Sequence, residues 1–210
     1  MLKSRLTLLF SAVLCGACFT RQASAEDKPT ATYSQPELVR IATEIQKAIA
    51  TLPQYGVFDD IHFAIKGTTV ILRGEASRPT LKSGAENVTK KIEGVQNVEN
   101  EIEVLPLSPN DDRLRAILYR KIYGAPQLRR YSSSGGRMFT SMTARTTGIT
   151  NDPPIGYHAI HIIVKNGNVT LKGAVANSAD SAIAGMQANT TPGVFSVDND
   201  LFVEQQNKKS

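Results

Sequence analysis

Eight side chains between positions 113 and 130 have the chemistry to meet an anion. Arg113, Arg115, Arg120 and Lys121 share one segment with Tyr119 and Tyr123, and Arg129 and Arg130 follow just after it. Guanidinium groups pair with phosphate oxygens, and tyrosine rings settle where an apolar layer meets water, so this combination fits an anionic phospholipid surface. Each basic group near such a surface contributes on the order of 1 kcal/mol, enough in sum for weak, reversible docking. The same residues also fit a solvated helix face or a contact with another envelope protein, and composition alone leaves all three readings open. Nucleic acid is the remaining anionic partner, but a chain read as exported seldom meets it.

Other chemistry is sparse. Both cysteines, Cys15 and Cys18, precede position 26, inside a segment read below as removable, which excludes disulfides, thiol catalysis and cysteine-held metals from the remainder. His158 and His161 stand three apart on a predicted strand, so they point to opposite faces and do not share an ion. No serine sits in a nucleophile-elbow motif and no carboxylate pair has a recognisable acid–base setting. The expectation is a protein with no catalytic residues, no metal and no cofactor.

The elements that must position the basic cluster come in two copies. Ile160–Val175 recurs 99 residues earlier as Ile61–Ala76, and the same offset keeps Ala85/Ala184, Gly94/Gly193, Val98/Val197 and Val104/Val203 in register. Twelve identities fall between 61 and 105 where chance gives about two or three, the mark of a duplicated unit. In the first copy, Ser34-Gln35-Pro36-Glu37 opens a helix whose stripe is Leu38, Ile41, Ile45, Ala48 and Ile49. Ile61 to Leu72 reads as a β-hairpin around Lys66–Thr69, a turn whose type the residues leave uncertain. Leu81, Ala85, Val88 and Ile92 mark a second helix, and Val95 to Val104 a third strand. A right-handed crossover then brings that strand back parallel to the hairpin, making a mixed sheet.

The second copy begins with Asp111-Asp112 in a helical turn and the stripe Leu114, Ile117, Leu118 and Ile122. The basic cluster lies on and just after this helix. Between helix and hairpin the second copy carries a polar insertion, 124–157, that the first lacks; its last helix shows Ala179, Ala182, Ile183 and Met186 at helical spacing. The fold class is therefore α+β: two tandem α-β-β-α-β sandwiches, each a three-stranded mixed sheet against two helices. The expected organisation is a signal peptide at 1–25, a mobile leader at 26–33, a first domain at 34–105, a linker at 106–110, a second domain at 111–204 and a tail at 205–210.

Export follows from Lys3 and Arg5, the apolar run from Leu6 to Phe19 and the small residues Ala23-Ser24-Ala25, the three parts of a secretory signal. Cys18 offers a second route, lipidation, although Cys15 replaces the large aliphatic residue that a lipoprotein box wants three before it. The expected location is the periplasm. Without residues 1–25 the chain has 21 basic and 19 acidic groups, a net charge of +2. The charge is uneven: 26–105 carry 9 basic and 12 acidic groups, 106–159 carry 8 and 3, and 160–210 carry 4 of each. The basic excess sits on the cluster and its insertion, as a surface for an anionic partner would.

The hairpin Asn166-Gly167-Asn168-Val169-Thr170-Leu171-Lys172-Gly173, the turn Gly193-Val194-Phe195-Ser196-Val197-Asp198-Asn199 and its first copy Gly94–Asn100 resemble the BON domain family. The resemblance covers 37–105 and 111–204. It implies the α-β-β-α-β sandwich, no enzymatic activity, and a role in phospholipid binding or envelope stabilisation under osmotic or other stress. The insertion lies outside the family pattern, and nothing carries over to it.

Overall fold

The structure, a computed structural model, describes residues 33–133 and 148–204. The expected signal peptide and leader up to 32, the middle of the insertion (134–147) and the expected tail from 205 lie outside the described residues. What is described is the expected α+β pair.

In the first lobe, α1 (Gln35–Ala50) leads to β1 (Asp60–Lys66), β2 (Thr69–Ala76), α2 (Pro79–Thr89), β3 (Asn97–Asn100) and β4 (Glu103–Val104). Glu37 opens α1 by accepting from the backbone N and Oγ of Ser34, 2.8 and 2.6 Å away, a reciprocal cap that occupies free end groups of the first turn. Ile41, Ile45 and Ile49 are its buried stripe. β2 is the central strand, antiparallel to β1 and parallel to β3 and β4. β3 and β4 are one interrupted third strand: Glu101 N donates to Leu72 O at 2.9 Å and Ile102 turns into the core, as a bulge does.

The second lobe repeats this. α3 (Pro109–Gly124) is followed by a 3-10 turn (Arg129–Tyr131), β5 (Ile160–Lys165), β6 (Asn168–Val175), α4 (Ser178–Asn189), β7 (Ser196–Asn199) and β8 (Phe202–Val203). The offset of 99 carries into the pairing: Ile61 opposes Gly74 as Ile160 opposes Gly173. These two glycines hold φ near +108° and +109°, and a Cβ on either would lie 2.0 Å from the carbonyl oxygen of Asp60 or Ala159; only glycine fits. The hairpin turns differ as their residues require. Asn166 and Gly167 both take positive φ, as in a type I′ turn, whereas in Gly67-Thr68 only the glycine does, the pattern of type II′.

Three local expectations shift. Tyr33, assigned to the leader, is anchored: its hydroxyl donates to Gly94 O at 2.5 Å and its ring packs on the first core. The core side of α2 carries Thr89 rather than Val88, with the Thr89 hydroxyl bonded back to Ala85 O at 2.7 Å. In α4 the buried side is Ala184, Gly185 and Ala188, while Ala179, Ala182 and Met186 face outward. Alanine is tolerated on the buried and the exposed side alike, so alanines spread round a helix give a weak phase.

Two cores result. One gathers Ile41, Ile45, Ile49, Val70, Leu72, Leu81, Ala85 and Ile102. The other gathers the second lobe's residues and two from the first: Val57 and Phe58, which precede β1, are fully buried among Leu114, Leu118, Tyr119 and Ile162. Lys165–Glu103 at 2.5 Å and Lys172–Glu75 at 2.9 Å link the lobes at the surface.

Candidate functional site

α3 is buried on more than one side. Besides Leu114, Leu118 and Ile122, it buries Asp111, Arg115, Tyr119 and Tyr123, so a second row, 115–119–123, lies alongside the expected stripe. Ser108 caps the helix by accepting from Asp111 N at 3.2 Å, and Pro109 suits its first turn. Asp111 in turn accepts from Asn166 N (2.8 Å) and Gly167 N (2.9 Å), holding the hairpin turn.

That second row takes three residues of the expected lipid-binding set into the interior. Arg115, 2% exposed, donates to Asp112 Oδ1 at 2.8 Å, Thr150 Oγ1 at 3.2 Å and Val164 O at 2.7 Å. Tyr119 is fully buried, its hydroxyl 3.1 Å from His158 Nε2 and its ring edge-on to Phe58 at 6.5 Å. Tyr123 is fully buried too; its hydroxyl donates to Ile160 O at 2.6 Å and accepts from Ile160 N at 3.2 Å. All three side chains lie in the interior of the second lobe. Two of them serve the open side of β5: Tyr123 bonds Ile160 and Arg115 bonds Val164, while between them the carbonyl of Val57 accepts from Ile162 N at 2.7 Å. An edge strand otherwise presents unpaired backbone groups to any passing chain. Here that edge is closed.

The remaining cations are on the outside, but not equally available. Arg113 and Arg120 lie two helical turns apart on the exposed face of α3, and neither has a hydrogen bond or ion pair among the described residues. Half-buried Ile117 lies between them. Lys121 is tied to Thr190 O at 2.8 Å. Arg129 donates to Gly124 O at 3.4 Å. Arg130 bridges to Asp180 and lies 5.1 Å over the Tyr131 ring. Burial works against the charge of Asp180, yet hydrogen bonds from Tyr131 and Arg130 hold its carboxyl below the usual range. Within the cluster, the cations without a partner among the described residues are Arg113 and Arg120; on α4 the outward Met186 is 58% exposed.

The histidines separate as strand geometry requires. His158 is enclosed by Tyr119 and Tyr123, with ring centroids 5.5 and 5.2 Å away, and burial pulls its pKa down to about 4. His161 faces the other side, 6.0 Å from Tyr55. Among the described residues no group of three or more His, Cys, Asp or Glu is placed to hold a metal. No helix of these residues is long and apolar enough to cross a membrane.

The titratable groups thus serve packing and edge closure, and the lobes define a pair of tandem α-β-β-α-β modules whose free chemistry lies on their surfaces. The BON domain model matches residues 38–106 and 146–205, and the chain belongs to the BON domain family. This is not an enzyme family, and its domains are associated with membrane phospholipid. No curated protein matches the chain. Among solved structures it is similar to the C-terminal domain of CdsD, the structural protein of the type III secretion system of Chlamydia trachomatis. The identity is 13% over 82% of this chain and 100% of that one, with a TM-score of 0.26. A second CdsD structure gives 12% identity over 80% and 92%, with a TM-score of 0.25. Likeness at this level carries no functional weight.

Proposed function

We propose that this is a non-enzymatic, exported protein of the bacterial envelope that docks on anionic phospholipid surfaces, in the service of stress protection or envelope integrity. The observation that carries the reading is the pair Arg113 and Arg120: two exposed guanidinium groups, without described partners, on one face of α3. Structural cations are paired; these two are left to a partner, and phosphate is the group that guanidinium matches best. The basic excess of residues 106–159 adds attraction at longer range. Periplasmic location rests on the signal at 1–25 and on family membership. Flotation with vesicles of anionic or neutral phospholipid tests the reading. Recovery with anionic vesicles at low salt and its loss at high salt are expected; equal recovery with both lipids contradicts it.

A further inference from the structure

The chain holds one Asn-Gly pair, Asn166-Gly167, and it forms the turn between β5 and β6. Asparagine before glycine is among the most reactive dipeptides a chain can carry toward its own backbone. Glycine has no Cβ to shield its nitrogen, so that nitrogen can reach the neighbouring carboxamide carbon. Asn166 is exposed, whereas Gly167 is buried. The residue bearing the electrophile is open to water, and the residue bearing the nucleophile is not.

Three contacts hold the Gly167 peptide. Its N–H donates to Asp111 Oδ1 at 2.9 Å, and the Asn166 N–H donates to Oδ2 of the same carboxylate at 2.8 Å. Its carbonyl accepts from Phe195 N at 2.9 Å. The Phe195 ring lies so close that a Cβ on Gly167 would come within 2.6 Å of it. Asp111 itself is 1% exposed, in the first turn of α3. An amide that donates to a buried carboxylate gives up its proton reluctantly, because the anion left behind would face a second negative charge. The first lobe supplies a comparison. Its hairpin has Gly67 and Thr68 at the matching positions, with no asparagine to cyclise. Aligning Ile41, Ile45 and Ile49 with Leu114, Leu118 and Ile122 puts Leu38 where α3 has Asp111. The carboxylate thus accompanies the reactive pair.

We infer that Asn166 is a self-modification site that Asp111 keeps closed. The reaction is a cyclisation. The Gly167 nitrogen, its proton lost to a solvent base, bonds to Cγ of Asn166, and the carboxamide nitrogen takes up a proton and leaves as ammonia. Water then opens the five-membered imide at either carbonyl, giving aspartate or its isomer with the backbone routed through Cβ. Nothing is oxidised or reduced; water enters and ammonia departs. The step proceeds only while the turn is detached from Asp111, so its rate follows the population of that opened state. Either product makes the opening lasting. Aspartate at 166 brings a second negative charge next to Asp111, and the isomer adds a backbone atom to a two-residue turn whose geometry has no room for it. The modified hairpin is then released from the start of α3. Arg113 and Arg120 take no part, so the lipid reading neither supports this inference nor falls with it.

Peptide mass spectrometry of the full chain, kept in mildly alkaline buffer and digested at intervals, tests this, with isoaspartate-specific carboxyl methylation to mark the isomer. The folded chain should convert Asn166 at least about tenfold more slowly than the same chain in urea. Asp111→Asn keeps the side chain's shape and removes its charge, and should raise the folded rate by about tenfold. Asn177, which precedes Ser178 and caps α4 in the same lobe, is the internal reference and should stay unconverted in both folded chains. The comparison of folded with unfolded chain needs no variant, so it stands whatever the substitution does to the fold. Conversion of Asn166 as fast in the folded chain as in urea, or faster, would overturn the inference. So would an unchanged rate in Asp111→Asn, or a rise at Asn177 in step with Asn166, which would assign the protection to the lobe at large.

Discussion

The hydroxyl of Tyr123 sits between the two backbone groups of Ile160, donating to the carbonyl at 2.6 Å and accepting from the amide at 3.2 Å. One phenol thus closes a residue's worth of exposed strand edge, and burial raises its pKa well above that of a free tyrosine. Tyr123→Phe keeps the ring and leaves both groups unpaired in the interior. A loss of about 1–3 kcal/mol is expected by urea denaturation, with faster hydrogen exchange at Ile160 than at Ile162, whose amide is held by Val57.

Arg115 and Arg113 are two residues apart and should behave as opposites. Arg115→Ala strands Asp112 and the Val164 carbonyl and should cost about 3–5 kcal/mol, the range for breaking a buried pair. Arg113→Ala should stay within about 0.5 kcal/mol, as exposed substitutions do. Paired chemical denaturation curves would separate a structural arginine from a free one.

His158 makes stability depend on pH. Its pKa in the fold is about 4, below the value near 6.5 of an unfolded histidine. Between those values the unfolded chain binds the extra proton, so stability is full above about pH 6.5 and falls as pH drops toward 4. The difference is roughly 3 kcal/mol, at 1.36 kcal/mol per pKa unit. Comparing urea midpoints at pH 7 and pH 5 for the native chain and His158→Phe checks this: the variant should lose much of the drop.

Gly74 and Gly173 admit no side chain. With positive φ and a strand carbonyl 2.0 Å from a would-be Cβ, Gly173→Ala should force the hairpin apart and cost several kcal/mol, beyond the 0.4–1 kcal/mol scale of unstrained glycine substitutions. Gly124→Ala, where nothing lies within 4 Å of the new methyl group, is the matched control. Thermal melts of the two variants should differ plainly.

Much of this fold is legible in the sequence because the unit is written twice. The offset of 99 aligns the strands Ile61–Ile65 and Ile160–Val164, and the glycines at 74 and 173 mark the same close approach. The basic cluster was legible as a cluster but not as a site. Its helix has two adjacent buried rows, and amphipathic reasoning sends arginine outward unless a partner is in view; Thr150 and the Val164 carbonyl are far along the chain. The spacing Arg115, Tyr119, Tyr123, four by four beside Leu114, Leu118 and Ile122, was the available signal of a wider buried face. Val57-Phe58 gave less warning, since a short apolar pair before a strand does not say which core it enters. In α4 the alanines left the phase undetermined, and the outward row was read as the inward one.

Arg113 and Arg120 are the proposed contact with anionic lipid. The most direct measurement is co-sedimentation with phosphatidylglycerol vesicles of the native chain, of Arg113→Glu/Arg120→Glu, and of Arg129→Glu as a charge control. Each exposed cation contributes on the order of 1 kcal/mol at such a surface, so the double reversal should reduce binding by at least about tenfold while the fold stays intact. Arg129→Glu should change it little. Binding that persists unchanged in the double variant, or that is as strong on phosphatidylcholine, would contradict the account.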